Sequence, residues 1–129
     1  ALPKTVIYTA DETKTTEITQ MVAAHPDFVY INDLWWQKDR LASMTTSIET
    51  IDELTTLTGG GVFWITDTRS LPTNLSRFQM WDSAVCAFLG SCVAREYHNM
   101  DSAKAVLEDV SINNAKNVYG EPKFNLGVN

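Results

Sequence analysis

The sequence predicts an α/β domain of layered β-α-β-α-β type, followed by a long buried helix and one further helix. Three observations carry this reading. Three short runs rich in β-branched and aromatic residues, V-I-Y-T-A-D at 6–11, F-V-Y-I-N-D at 28–33 and V-F-W-I-T-D at 62–67, each end on an aspartate. Helical periodicity fills the spaces between them. The chain has 129 residues, 44% hydrophobic and 20% charged, which suits one ordered core and argues against disorder.

The first run stops at Ala10-Asp11-Glu12, and a helical pattern opens after Thr13-Lys14-Thr15-Thr16. Thr13 or Thr15 is placed to cap that helix, and Glu17 lies in its first turn, where the helix dipole favours an acid. Ile18, Met21, Val22 and His25 keep the i, i+3, i+4, i+7 spacing of one helix face, and Pro26 ends it. The second and third runs are near-continuously apolar, as in strands covered on both faces. Between them, Leu41, Met44, Ile48, Ile51, Leu54 and Leu57 form a second helical stripe, with Gly59-Gly60-Gly61 as its stop.

After the third run, T-D-T-R-S-L-P-T-N is turn-rich, with room for a short edge strand near Arg69–Leu71. Pro72 caps such a strand and leads into a helix with Thr73 or Asn74 as N-cap. Phe78, Trp81, Val85, Phe88 and Cys92 then make a wide apolar face, continued by Leu89 and Val93. Asp101 or Ser102 opens a last helix carrying Ala103, Val106, Leu107 and Val110; continuation past Ser111 is left open. Residues 1–119 read as one domain and 120–129 as an extended tail.

Charge excludes some partners. At a net −6, with Lys and Arg scattered, the chain lacks the cationic stripe that phosphate backbones and anionic lipid surfaces require. The longest apolar run, at 84–94, is too short for a bilayer, which takes roughly 20 residues. Cys86 and Cys92 lie about 600° apart on a helix and cannot bridge each other there, so both read as buried free thiols in a reducing compartment such as the cytoplasm.

The stretch K-T-V-I-Y-T, its loop, the first helix and F-V-Y-I-N-D resemble the first βαβ unit of glutaredoxins and other thioredoxin-fold proteins, over residues 4–70. The resemblance implies that a C-x-x-C redox pair would fall near Thr13 and Thr16, both threonines here. The cis-proline expected before the third strand is replaced by G-G-G-V-F-W. Threonine has no accessible thiolate and no redox chemistry, so disulfide exchange is absent on this reading.

The remaining candidates are few. Asp11, Asp33 and Asp67 at strand ends could hold Mg²⁺ through oxygen ligands, or simply terminate strands and start turns. His25 and His98 lack a partner at telling spacing, and Asn74-Leu75-Ser76 reads as a helix start in sequon form. Trp35-Trp36 cannot both face one core, and Phe124 and Leu126 in the tail alternate like a strand that could add to a partner's sheet edge. The expectation is therefore a redox-inactive, thioredoxin-like structural or interaction subunit. It would bind a protein partner or its own copies through Trp35, Trp36, Phe124 and Leu126, with no cofactor. The alternative is a small Mg²⁺-dependent enzyme of phosphoryl transfer or hydrolysis, using the strand-end aspartates with Arg69.

Overall fold

The computed structural model describes residues 2–32, 40–55, 57 and 70–121. Two strands, β1 (Thr5–Ile7) and β2 (Val29–Ile31), pair in parallel with Thr5 opposite Val29 and Ile7 opposite Ile31. The ladder runs one residue further at each end, through Thr5 N–H to the Phe28 carbonyl at 2.7 Å and Asn32 N–H to the Ile7 carbonyl at 2.9 Å. Parallel neighbours need a crossover, and helix α1 (Thr15–Ala24) supplies it.

A turn of 3₁₀ helix, Glu12–Lys14, precedes α1. Its cap is Asp11, whose carboxylate accepts from the N–H and the hydroxyl of Thr13 at 2.9 and 2.7 Å. Neither Thr13 nor Thr15 caps α1 with its side chain; Lys14 holds the N-cap position without a side-chain bond. The stronger acceptor, an ionised carboxylate one turn earlier, takes the capping role. At the other end His25 donates its N–H to Met21 and Val22, and its ring stacks on Phe28 at 5.2 Å.

Helix α2 (Leu41–Leu54) lies between α1 and the 24-residue α3 (Leu71–Ala94), touching both. Its predicted stripe delivers Met44, Ile48 and Ile51 to full burial, with Leu57 beyond the helix end. Trp81, Ala84, Val85 and Leu89 of α3 meet them, and Val22, Val29 and Ile31 close the cluster from the strand side. Burying side chains of this size is worth roughly 1.5–3 kcal/mol each, the main drive for this packing.

Helix α3 begins earlier than expected. Ser70 is its N-cap, accepting from Thr73 N–H, so Pro72 sits in the first helical turn and Leu71 belongs to no edge strand. Proline is well placed there, because first-turn N–H groups have no intrahelical partner to lose. Cys92 is buried as expected, but Cys86 is exposed.

Helix α4 (Met100–Glu108) starts at Met100, capped by the Asn99 side chain on Ser102 N–H at 2.8 Å. The helical run does continue past Ser111. It passes through a π-helical turn, Asp109–Asn113, into α5 (Asn114–Tyr119). Gly120 ends it at φ 83°, a conformation glycine adopts without strain.

The expected thioredoxin-like βαβαβ core is not the architecture found. Helices hold 71% of the described residues, and those residues contain two parallel strands. The first βαβ unit is there. After α2, the described chain forms a helical layer, with α3 against α2 and α4 against α3. The third apolar run, 62–67, and Gly59–Gly61 lie outside the described residues. No described helix is long and apolar enough to cross a membrane.

Candidate functional site

Parallel strands leave their carboxyl ends next to helix N-termini, where α/β sheets place ligands. In this chain that end gathers Thr9, Asp11 and Glu12 after β1, and Asn32 after β2. Thr9 is buried, and its hydroxyl lies 3.1 Å from both the N–H and the carbonyl of Asp11, accepting from one and donating to the other. This fixes the turn, and the Asp11 carboxylate is committed to capping.

The Glu12 carboxylate reaches across to α2, accepting from Arg40 Nη2 at 2.9 Å and Ser43 Oγ at 3.0 Å. Both charged side chains are at least half exposed, so the pair orients more than it stabilises. Beneath it lies a cavity of about 280 Å³ lined by Glu12, Thr15, Thr16, Ser43, Thr46, Ser47 and Thr50, with Ala42. That is close to the lower end of small-molecule sites, roughly 300–1,000 Å³. Six of its eight lining residues are serines or threonines, whose hydroxyls can meet those of a ligand, and none carries a thiol. Outside it, Lys14 holds Glu17 at 2.9 Å, and that bond raises the Lys14 pKa, so this ammonium stays protonated and is unsuited to be a base.

Asn32 is the unusual member. Its side chain is 1% exposed, and neither its Oδ1 nor its Nδ2 has a hydrogen-bond partner. Unpaired burial of such a group costs about 1–3 kcal/mol.

Among the residues singled out from sequence, Thr16 lines the cavity, whereas Thr13 is taken up by Asp11. Asp33, Asp67, Trp35, Trp36, Arg69, Phe124 and Leu126 lie outside the described residues. His25 and His98 sit at helix ends, the latter with Nδ1 3.2 Å from Ser102 Oγ. Among the described residues no three of His, Cys, Asp and Glu come together as a metal site. Sequence reasoning missed Thr9, Asn32, Arg40 and Ser43. The available signal was a polar residue, Asn32, ending an otherwise apolar strand.

The family model for glucuronate isomerase (UxaC) matches residues 1–119. The chain belongs to the glucuronate isomerase family. A solved structure agrees in fold: uronate isomerase from Thermotoga maritima superposes with a TM-score of 0.81 at 24% identity, over 88% of this chain and 25% of that one. The chain thus spans about a quarter of the length of that relative. No curated protein matches. These findings overturn the thioredoxin resemblance: V-I-Y-T followed by a helix is βαβ grammar shared by unrelated parallel folds. They also overturn the redox-silent scaffold subunit inferred from it, and the enzyme held as the alternative is the reading that membership of this family favours.

Proposed function

We propose that this chain forms part of a uronate isomerase site, acting on a hexuronate, with the carboxyl ends of β1 and β2 facing the substrate. The family match over residues 1–119 carries the proposal. The hydroxyl-lined cavity under Glu12 and Arg40 supports it, since sugar acids are recognised through hydroxyl and carboxylate oxygens.

Isomerisation of an open-chain uronate exchanges an aldehyde and a hydroxyl for a hydroxyl and a ketone on neighbouring carbons. A general acid–base pair must therefore act across those two carbons. Asp11 is a poor choice for the base, because its carboxylate already accepts two bonds from Thr13. Asp33 and Asp67, which close the second and third apolar runs, are the proposed acid–base groups, and Arg69 is the proposed cation for the substrate carboxylate.

The test uses the native protein containing this chain, incubated with D-glucuronate and followed by NMR for the 2-keto sugar acid. Conversion is expected, with Asp67→Asn and Asp33→Asn each lowering kcat by about a hundredfold or more. A folded native protein that leaves D-glucuronate unchanged would sink the proposal.

A further inference from the structure

Asn32 raises a question the isomerase reading alone does not answer. Its N–H continues the parallel ladder to Ile7, so Asn32 stands beside Tyr8 one step past the register pair Ile7 and Ile31. Side chains alternate along a strand. Val29 and Ile31 belong to the core cluster with the helices, while Tyr30, although buried, does not. Tyr30 and Asn32 therefore share the other sheet face, and Tyr8 is their lateral neighbour on it. The Tyr8 hydroxyl lies 3.1 Å from that of Tyr119, while the Tyr30 hydroxyl donates to the Asp27 carbonyl. The carboxamide of Asn32 alone among these three polar groups has no partner.

A buried position with no hydrogen bond to make favours an aliphatic side chain. An unpaired carboxamide there fits a function, because nearly all buried polar groups in native proteins are paired. It presents a donor and an acceptor side by side. That pair complements two adjacent hydroxyl groups, one accepting and one donating.

We propose that Asn32, at the carboxyl end of β2 and on the sheet face turned away from the helices and from the cavity of Glu12 and Ser43, is a substrate-binding residue, hydrogen-bonding a vicinal diol of the sugar acid through Oδ1 and Nδ2. The assignment rests on the isomerase reading. Both atoms are sealed from solvent, a dry setting in which a hydrogen bond discriminates strongly.

The experiment uses the native protein and its Asn32→Leu variant, which keeps the branching at Cγ and has no polar atoms. Without ligand, Asn32→Leu is expected to melt at or above the wild-type temperature, because an unpaired amide has been replaced by an apolar group. With D-glucuronate, its KM is expected to rise at least roughly tenfold and the ligand-induced rise in melting temperature to shrink. In the wild type, the side-chain amide ¹⁵N resonance of Asn32 is expected to shift on adding D-glucuronate, a readout that needs no variant. An Asn32→Leu protein that is clearly destabilised, or that keeps the wild-type KM, overturns the assignment; so does an unmoved resonance while the wild type turns over. A wild type that neither binds nor converts D-glucuronate removes the isomerase reading itself, and the assignment with it.

Discussion

Asp52 sits on the last turn of α2 with part of its carboxyl group covered. Burial raises its pKa above the ordinary carboxylate value, outweighing the opposing pull of His98 and of a backbone bond at Leu57. An acid whose folded pKa exceeds its unfolded one binds a proton more tightly when folded. Its ionised form therefore weighs against folding above the folded pKa. That penalty fades as pH falls, and it is gone below the unfolded value of about 4. Asp52→Asn is accordingly expected to raise the melting temperature at pH 7, with the gain closing towards pH 4. Melting curves of both proteins across that range check it; an advantage that persists unchanged at pH 4 would point to packing instead of charge.

At the scale of elements, the π-helical turn Asp109–Asn113 decides how the last helix meets the core. A π turn inserts one extra residue and rotates the helix beyond it. Val110 stays fully buried, and Asn114 is turned inwards, where its Nδ2 donates to the Leu57 carbonyl at 2.8 Å. That bond ties α5 to the chain just beyond α2, across 57 residues of sequence. Within the turn, Asn113 Nδ2 donates to Asp109 Oδ1 at 2.9 Å. Removing a buried donor strands its acceptor, so Asn114→Ala is expected to lose about 1–3 kcal/mol in urea unfolding. A loss below a few tenths would show that the π turn, and not this bond, holds α5 in place.

For the whole molecule, the two cysteines report on cooperative opening. Cys86 is exposed on α3, while Cys92, on the same helix, is buried. Burial, with Asp52 next in importance, raises the Cys92 pKa, which removes thiolate at neutral pH. A disulfide reagent is thus expected to modify Cys86 promptly in the native protein. Cys92 should react on the timescale of global unfolding, with denaturant accelerating it in step with loss of structure. Prompt labelling of both thiols would mean that α3 opens away from α2 and α4 without global unfolding.

Much of the secondary structure was legible in the chain, for local reasons. Short β-branched runs, Pro26 after α1 and the i, i+4, i+7 spacing of Met44, Ile48 and Ile51 act within a few residues of themselves, and they account for the first βαβ unit and for α2. Family and site were less legible. Many parallel folds open with the same strand, turn and helix, so V-I-Y-T could not distinguish a thioredoxin-fold protein from a member of the glucuronate isomerase family, and threonines at 13 and 16 looked like losses where nothing had been lost. Nothing in the letters showed that the Asp11 carboxylate accepts from both the N–H and the hydroxyl of Thr13. Tertiary structure alone decided which apolar positions face inwards: Met21, Leu41 and Phe78 fit their stripes yet are exposed, and Cys86 is outside. It also decided that Asn32, unremarkable as a letter at a strand end, is buried with no partner. Periodicity gives each helix and strand two faces, and only contact with the rest of the molecule selects which face is covered and which polar group is left waiting.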